Sequence, residues 1–213
     1  MPVTMTMHPA KPGTGILFRR SDLPGMPAKV FTVEHLLSAL YALNIDNCII
    51  EMDSPEPPVG DGSAKTFVDM VEEAGIEEQD EEIPVLTLDR SVAIYEGKKF
   101  ITALPYDGLR ITFTSINPHP LLGTQMVDIV IDHDSYMKEI ASARTIGFTW
   151  ELEAMRKMGL GKGGTLENAV VYSETECLSV PRFKDELVRH KILDILGDIS
   201  LIGPLHAHII AVL

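Results

Sequence analysis

The sequence predicts an α+β fold built from two sheet-and-helix layered domains that pack against each other. Candidate strands and helices occur in two similar passes along the chain, without the strict β-α alternation of a parallel α/β fold. Hydrophobic residues make up 45% of the 213 residues, enough for a sizeable core. An acidic run at residues 77–82 separates the passes and is interpreted as a solvated linker. The predicted domains are therefore residues 1–80 and 84–213.

The first domain contains two candidate helices among three short candidate strands. Alternating or apolar runs predict strands at 3–7, 16–18 and 47–52. Residues 31–43 are predicted to be helical, with Thr32 as N-cap and an apolar face formed by Leu36, Leu37, Leu40 and Leu43. A Pro- and Gly-rich loop at 53–62 leads to a second helix at 63–74, for which Ser63 is the candidate N-cap.

The second domain opens with a predicted strand meander and ends with an apolar strand. Strands are expected at 85–88, 91–95, 98–104, 109–116, 127–131, 170–172 and 205–213. Helices are expected at 136–142, 149–158 and 185–198. The elements near 148–172 form a strand–helix–strand insert. The glycine-rich segment 159–164 lacks the spacing of a phosphate-binding loop and is predicted to be a flexible connection.

The helix predicted at 185–198 has polar groups in an unusual place beside its apolar stripe. His190, Asp194 and Asp198 are four residues apart, so a helix places them on one face. A His and a carboxylate one turn apart can bind the same metal ion. The alternative from spacing alone is a solvated helix face with a chance histidine. Glu34-His35, near the start of the first helix, is by itself more typical of a surface pair.

Composition and charge argue against several classes of function. The formal net charge of −13 and the pI of about 4.9 disfavour a nucleic-acid partner, because binding phosphates requires a basic surface. No apolar run approaches the length of a membrane span, and the N-terminus has no secretory signal pattern. Cys48 and Cys177 form neither a disulfide framework nor a metal motif. A cytoplasmic location is expected.

Four segments, taken together and in order, closely resemble one enzyme family. They are Thr-Val-Glu-His-Leu-Leu-Ser-Ala-Leu at 32–40, Asp-Gly-Ser at 61–63, Ala-Arg-Thr-Ile-Gly-Phe at 143–148 and Arg-His-Lys-Ile-Leu-Asp-Ile-Leu-Gly-Asp at 189–198. The resemblance is to the zinc-dependent UDP-3-O-acyl-N-acetylglucosamine deacetylases, which act in lipid A biosynthesis. It implies an amide hydrolase whose active site lies at the domain interface and whose substrate is a UDP-linked acylated amino sugar.

The resemblance also implies a role for individual residues. His35, His190 and Asp194 correspond to the ligands of Zn²⁺, with Fe²⁺ as the alternative metal. Two imidazoles and one carboxylate leave a position open, as catalytic zinc sites require. Glu34 corresponds to the general base, and Thr145 to a residue that stabilises the oxyanion. Asp198 corresponds to a residue that orients a further histidine.

Substrate contacts are implied in the same way. Lys191 corresponds to the residue that meets the diphosphate, where a compact positive charge is useful. Phe148 begins the insert that forms an apolar passage for the acyl chain in family members. Three apolar side chains suit the wall of this passage: Met155, Met158 and Leu160. Ordinary core packing explains them equally well.

Departures from the family pattern predict a shortened member. A glycine-rich histidine strand is absent before Pro2, a block of strand residues is absent near Ala28, and the Ser-Gly-His segment is absent after Leu213. Ile146 and Asn117 stand at or near positions that are often aromatic and help to hold uracil, so either weaker uridine binding or binding through other groups is expected. His206 and His208 are interpreted as strand histidines, not as substitutes for the absent one.

Three functional hypotheses remain open at this point. The first is the deacetylase itself, the second a truncated zinc-binding member with little or no catalytic activity, and the third a related amidohydrolase of smaller N-acetylated sugars. A monomer is expected, with association through exposed sheet edges as the alternative.

Overall fold

The computed structural model describes residues 3–26, 28–159, 161 and 163–213. Its helices are α1 (Glu34–Ala42), α2 (Lys65–Ala74), α3 (His133–Glu139), α4 (Thr149–Lys157) and α5 (Glu186–Ile199), followed by a 3-10 turn at Ser200–Ile202. Its strands are β1 (Met5–Pro9), β2 (Ile16–Arg20), β3 (Cys48–Met52), β4 (Leu86–Thr87), β5 (Val92–Glu96), β6 (Lys99–Leu104), β7 (Leu109–Ile116), β8 (Thr124–Val130), β9 (Ile146–Phe148), β10 (Val170–Tyr172) and β11 (Leu205–Val212). The predicted α+β class is confirmed. Among the described residues, no helix is both long and apolar enough to cross a membrane.

The first half of the chain forms a three-stranded sheet in the order β1-β3-β2. β1 runs antiparallel to β3, whereas β2 runs parallel to it. Cys48, Ile50 and Met52 alternate with less buried residues along β3, as expected for a strand with one core-facing side. That side joins the core formed by α1 and α2, in which Leu36 and Phe67 are buried.

The second half forms a larger sheet in the order β5-β6-β11-β7-β8, and β4 pairs with the first residues of β11. β11 runs antiparallel to β6 and parallel to β7. Buried and half-buried residues alternate along β7 and β11, so one face of this sheet is buried. α5 packs against this face over β7 and β8.

The insert within the second half of the chain is a small parallel unit. β9 pairs with β10 in parallel, and α4 lies between them in the chain. These are the elements predicted for residues 148–172. Leu160, one of the residues suggested for the wall of an acyl passage, lies outside the described residues.

The two halves share one hydrophobic core. Residues of α1 and β3 belong to the same buried cluster as residues of α5, β7 and β11. The largest contact between helices is that of α1 with α5. A residue on the facing side of either helix is therefore held by packing from both halves.

Helix starts are where the sequence prediction was wrong. Thr32 was predicted to cap α1, but it has a φ of 53° and the helix begins after Val33, without a side-chain cap. The predicted cap Ser63 is also displaced: Ala64 precedes α2, although the Ser63 hydroxyl still accepts a hydrogen bond from the Lys65 amide at 3.2 Å. Contacts with distant segments hold both preceding loops: the Phe31 amide donates to the carbonyl oxygen of Pro55 before α1, and Gly62 packs against Asn168 before α2.

The helix predicted at 136–142 begins earlier, at His133. Asp132 and Ser135 form a reciprocal capping box, in which each side chain accepts from the backbone amide of the other. This cap satisfies two amides that would otherwise lack partners, and it fixes the start of α3 three residues before the predicted one.

Candidate metal centre

α5 presents a histidine and a carboxylate on one face, as the four-residue spacing predicted. His190 is almost fully buried, and its Nε2 lies 3.4 Å from Oδ1 of Asp194. The side chain of Asp194 is 22% exposed, so it borders solvent at one side. A helix backbone fixes the two groups relative to each other, which provides two donors on one rigid element.

α1 brings a second histidine to the same place. Nε2 of His35 lies 3.7 Å from Oδ1 of Asp194, and the rings of His35 and His190 meet edge to face with centroids 4.9 Å apart. One potential ligand atom from each of the three residues lies within 4.8 Å of the other two. The structure thus brings together all three residues predicted as metal ligands, from two distant parts of the chain.

The approach of the two helices depends on Gly197. A Cβ atom built at Gly197 would lie 2.1 Å from the carbonyl oxygen of Glu34, far inside van der Waals contact. Only glycine lets the backbone at the start of α1 come this close to α5. Since Glu34 immediately precedes His35, this contact sets how near His35 comes to α5.

Hydrogen bonding fixes the orientation of His190. Its Nδ1 lies 3.0 Å from the carbonyl oxygen of Ala143, which can only accept, so Nδ1 carries the proton. Burial lowers the pKa of His190 to about 4, and the ring is therefore neutral at pH 7. Nε2 then presents a lone pair toward Asp194. A backbone carbonyl in this position is the usual outer partner of a metal-binding histidine.

Asp194 supplies the test of whether a metal fits. Its Oδ2 accepts a hydrogen bond from Lys191 at 3.0 Å, whereas the buried Oδ1 has no hydrogen-bond partner among the described residues. Desolvation acts to raise the pKa of Asp194, but electrostatic interactions with His190 and Lys191 and the hydrogen bond from Lys191 outweigh it, and the net shift is downward. Lys191 reaches only the other oxygen of this carboxylate, and a buried, ionised oxygen that faces a nitrogen lone pair is costly without a cation between them. The donor set fits a divalent metal with an open position.

Thr145 stands beside this set. Its hydroxyl lies 3.3 Å from Nε2 of His190 and 3.4 Å from the carbonyl oxygen of Gly62, which also accepts from the Thr145 amide at 3.0 Å. Gly62 has a φ of 83°, and a Cβ there would lie 1.6 Å from the carbonyl oxygen of Asn168. The Asp-Gly-Ser loop therefore packs closely against the segment that holds Thr145.

The other predicted site residues lie around the three candidate ligands, His35, His190 and Asp194, at different distances. Glu34 is half-buried at the first residue of α1, next to His35. Lys191 contacts Asp194 directly, so its ammonium group lies at the edge of the set. Asp198 is exposed one turn beyond Asp194; desolvation, and then the negative charge of Asp194, raise its pKa.

Phe148 belongs to an aromatic stack at the end of β9. Its ring stacks on Trp150 with centroids 4.7 Å apart, and His119 lies 6.1 Å from Trp150 in a nearly parallel orientation. Trp150 is half exposed. Sequence reasoning did not assign His119 or Trp150, because nothing in their local spacing indicates that they meet.

His206 and His208 lie on β11, on the face opposite to the one that packs against α5. Nε2 of His208 lies 2.8 Å from the hydroxyl of Thr112, and Nδ1 of His206 lies 3.6 Å from Asp107. Both therefore interact with the sheet and its loops, and neither belongs to the group formed by His35, His190 and Asp194.

Fold and site together define an α+β protein with a candidate metal centre of two histidines and one aspartate, contributed by α1 and α5. Comparison with known proteins gives the particular family. The profile of the LpxC family, described as UDP-3-O-acyl N-acetylglycosamine deacetylase, matches residues 25–213. The chain belongs to this family, whose members are metal-dependent enzymes.

Curated relatives extend the similarity to nearly the whole chain. Proteins named UDP-3-O-acyl-N-acetylglucosamine deacetylase are 39% identical in Bdellovibrio bacteriovorus and 42% identical in Chlamydia caviae. Each alignment covers 98% of this chain, and 78% and 84% of the respective relative. A relative of the same name in Myxococcus xanthus is 39% identical, over 98% of this chain and 74% of its own length. The aligned stretches, 234 positions each, exceed the 213 residues here, so these relatives contain residues without a counterpart in this chain.

Proposed function

We propose that this protein is a zinc-dependent deacetylase that hydrolyses the N-acetyl amide of UDP-3-O-acyl-N-acetylglucosamine in lipid A biosynthesis. Water adds to the amide carbon, the C–N bond breaks, and acetate and a free amine leave. The relatives in Bdellovibrio and Chlamydia bear the name of this reaction. The single observation behind the proposal is that ligand atoms of His35, His190 and Asp194 lie within 4.8 Å of one another, with no donor to Oδ1 of Asp194 among the described residues.

We infer that His35, His190 and Asp194 hold the metal. Zinc in such a set acts as a Lewis acid and lowers the pKa of a water molecule. Imidazole and carboxylate donors also suit Fe²⁺, which is the alternative occupant. The neutral state of His190 and the ionised state of Asp194 are the states that metal ligation requires. Burial favours the first, whereas interactions with neighbouring groups, Lys191 among them, favour the second.

Glu34 is the proposed general base. It takes a proton from the attacking water as the new C–O bond forms, and it returns a proton to the nitrogen as the C–N bond breaks. Thr145 is the proposed oxyanion donor, since its hydroxyl lies 3.3 Å from the ring nitrogen of His190 that faces the metal position. The start of α1 that carries Glu34 packs against Gly197 of α5, and the segment that carries Thr145 is hydrogen-bonded to α5 at His190 and Glu186.

Substrate binding is assigned to residues around this centre. Lys191 supplies a positive charge for the diphosphate, at the half-exposed edge of the set. Phe148 begins the apolar wall for the acyl chain, and its stacking on Trp150 extends that wall toward solvent. Asp198 is proposed as a positioning carboxylate one helical turn beyond Asp194.

A cytoplasmic, monomeric enzyme is the proposed physiological form. The two cysteines are both unpaired, as a reducing compartment favours. β5 is exposed along its whole length at the edge of the larger sheet, so association through this edge is the competing hypothesis. Sedimentation at several protein concentrations distinguishes the two.

Replacement of a proposed ligand tests the assignment. We expect the wild-type chain to bind one equivalent of Zn²⁺ or Co²⁺ and His190→Ala to lose metal and hydrolysis together. We measure metal content by inductively coupled plasma mass spectrometry and hydrolysis by the release of acetate from the UDP-linked substrate. His133→Ala is the matched control, because His133 lies on the exposed surface of α3 and contacts Asp134.

Each result has a distinct meaning for the proposal. Full metal occupancy in His190→Ala would reject the ligand set. Metal binding by the wild type without turnover would favour the hypothesis of a zinc-binding member with little activity. Hydrolysis of an N-acetylated sugar without the acyl chain, at the same rate as the acylated one, would favour the amidohydrolase of smaller sugars.

A further inference from the structure

Arg144 and Glu186 form a buried ion pair close to the metal centre. Their side chains are 5% and 1% exposed, and neither residue received a role from the sequence. Nε of Arg144 donates to Oε1 of Glu186 at 3.0 Å, and Nη2 approaches Oε2 at 3.3 Å. The backbone amide of Arg144 donates to the same Oε1 at 2.9 Å. Glu186 thus binds both the side chain and the backbone of Arg144.

The remaining polar atoms of the pair also have partners. Nη1 of Arg144 donates to the carbonyl oxygen of Glu167 at 3.0 Å, and Nη2 donates to that of Val180 at 2.7 Å. Oε2 of Glu186 accepts from the backbone amide of Arg182 at 2.6 Å. The pair therefore connects the segment after α3, the loop before β10, the loop before α5 and the start of α5 itself.

Both neighbours of Arg144 in the chain contact His190. The carbonyl oxygen of Ala143 accepts from Nδ1 of His190, and the hydroxyl of Thr145 lies at Nε2. Glu186 is on α5, one helical turn before His190. The pair thus holds the backbone on both sides of the His190 ring. Ala143 sets the tautomer of the ring, and Thr145 lies at the ring nitrogen that faces the proposed metal position.

A buried ion pair is not the arrangement that stability alone favours. Desolvation of two charges offsets most of their attraction, and apolar residues of similar volume often stabilise a fold as well or better. A bidentate pair does provide fixed direction, because the planar guanidinium group meets a carboxylate in a single geometry. The Ala143 carbonyl and the Thr145 hydroxyl need such a fixed orientation, because they contact opposite sides of the His190 ring.

We propose that Arg144 and Glu186 are positioning residues that hold the Ala143 carbonyl and the Thr145 hydroxyl against His190. This inference rests on the proposed metal centre. It predicts that weakening the pair changes the affinity and geometry of the metal site, beyond any loss of fold stability. Mutation of groups behind metal ligands typically lowers metal affinity about 10–100-fold.

Glu186→Gln is the test variant. It keeps the size of the side chain, but it removes the charge and replaces one accepting oxygen with an NH₂ group, which cannot accept from Arg144 or Arg182. We expect the Kd for Co²⁺ to rise about tenfold, the d–d absorption of the bound Co²⁺ to change, and kcat to fall more than KM rises. Arg144→Lys, which keeps the charge but loses the planar fork, is expected to act in the same direction and is used if Glu186→Gln does not fold.

Asp128→Asn is the matched control. It breaks the ion pair of Asp128 with Arg110, which lies on the outer face of the larger sheet. It is expected to lower fold stability while leaving the Co²⁺ affinity and spectrum as in the wild type.

Two outcomes would overturn the inference in distinguishable ways. If the folded test variant binds Co²⁺ with wild-type affinity and spectrum, and differs only in its urea midpoint, the pair is purely structural and the proposed function is unaffected. If the wild type itself binds neither Zn²⁺ nor Co²⁺, the proposed function fails and the positioning role fails with it.

Discussion

At the scale of single residues, the hydroxyl of Thr145 lies beside the proposed metal centre, 3.3 Å from Nε2 of His190. Its hydrogen bonds involve His190 and the backbone of Gly62. Thr145→Val removes the hydroxyl and keeps the shape. We expect kcat for deacetylation to fall about 100-fold or more, because a lost oxyanion donor typically has that effect. KM and zinc content are expected to change little, and steady-state kinetics with metal analysis measures all three.

Thr145→Ser is the control for that substitution. It retains a hydroxyl at the same position and is expected to keep most of the activity. A Thr145→Val enzyme with normal kcat would show that the hydroxyl does not act on the reacting carbonyl. A variant that loses zinc as well would instead assign Thr145 to the support of His190.

Single residues also illustrate what the sequence could predict about the site. His190 and Asp194 were accessible from spacing, since a helix fixes side chains four residues apart on one face. His35 required the family resemblance, because its position beside α5 depends on packing between distant segments. The pairing of Arg144 with Glu186 left no local signal. A buried charge is recognised only when its partner is known to be near, and these two lie in segments that only the tertiary fold brings together.

At the scale of secondary-structure elements, the contact of α1 with α5 determines the site. Gly197→Ala places a Cβ 2.1 Å from the Glu34 carbonyl, so one helix must shift. Helix propensity alone would make alanine more stable by about 1 kcal/mol. We expect the opposite sign, a loss of about 1–3 kcal/mol in the free energy of unfolding, as for other overpacked positions. Metal affinity is expected to fall as well, because His35 moves with α1.

Gly163→Ala provides the comparison for this substitution. A Cβ at Gly163 would lie 3.5 Å from Cγ1 of Val59, an ordinary contact, so little change is expected there. Urea denaturation of the metal-free proteins measures stability, and competition with a chelator measures affinity. A stabilised Gly197→Ala protein with unchanged metal affinity would contradict the role given to this close approach.

The sequence predicted the type of the secondary-structure elements better than the residues at which they begin. α5 and β7 were accessible because their apolar residues recur with a clear period of 3.6 or 2. The start of α1 was not, since Thr32 adopts a positive φ that the sequence does not indicate. The start of α3 was missed because the apolar pattern begins later than its capping box does.

At the scale of the whole molecule, one core joins both sheets through α1 and α5. The sequence predicted the α+β class, because the two passes of strands and helices are local patterns. It did not predict that β11, the last strand, lies between β6 and β7 in the larger sheet. That order depends on pairings between distant segments. The consequence is that α5 and β11, both near the end of the chain, help to hold a site to which α1 also contributes.

The same central position of β11 places a polar network on the outer face of the larger sheet. Asp128 accepts from Arg110 and Thr112, and Thr112 in turn contacts His208 on β11. Hydrogen bonds from Arg110, and then from Thr112, lower the pKa of Asp128 from 3.8 to about 2. A carboxyl group whose pKa is lower in the folded state stabilises the fold above its unfolded pKa. This contribution is therefore fully present above about pH 4 and is lost as the pH falls through about 2.

Asp128→Asn should consequently lower the free energy of unfolding by about 0.5–1 kcal/mol at pH 7, a magnitude limited by the one-third exposure of the carboxylate. The difference from wild type should shrink between pH 4 and pH 2, because the wild-type carboxyl group is itself protonated there. Urea midpoints measured across this range test both statements. Asp107→Asn, at a fully exposed carboxyl group, should leave stability nearly unchanged. A difference for Asp128→Asn that stays constant from pH 7 to pH 2 would mean that the network stabilises the sheet through packing and not through the ionised carboxylate.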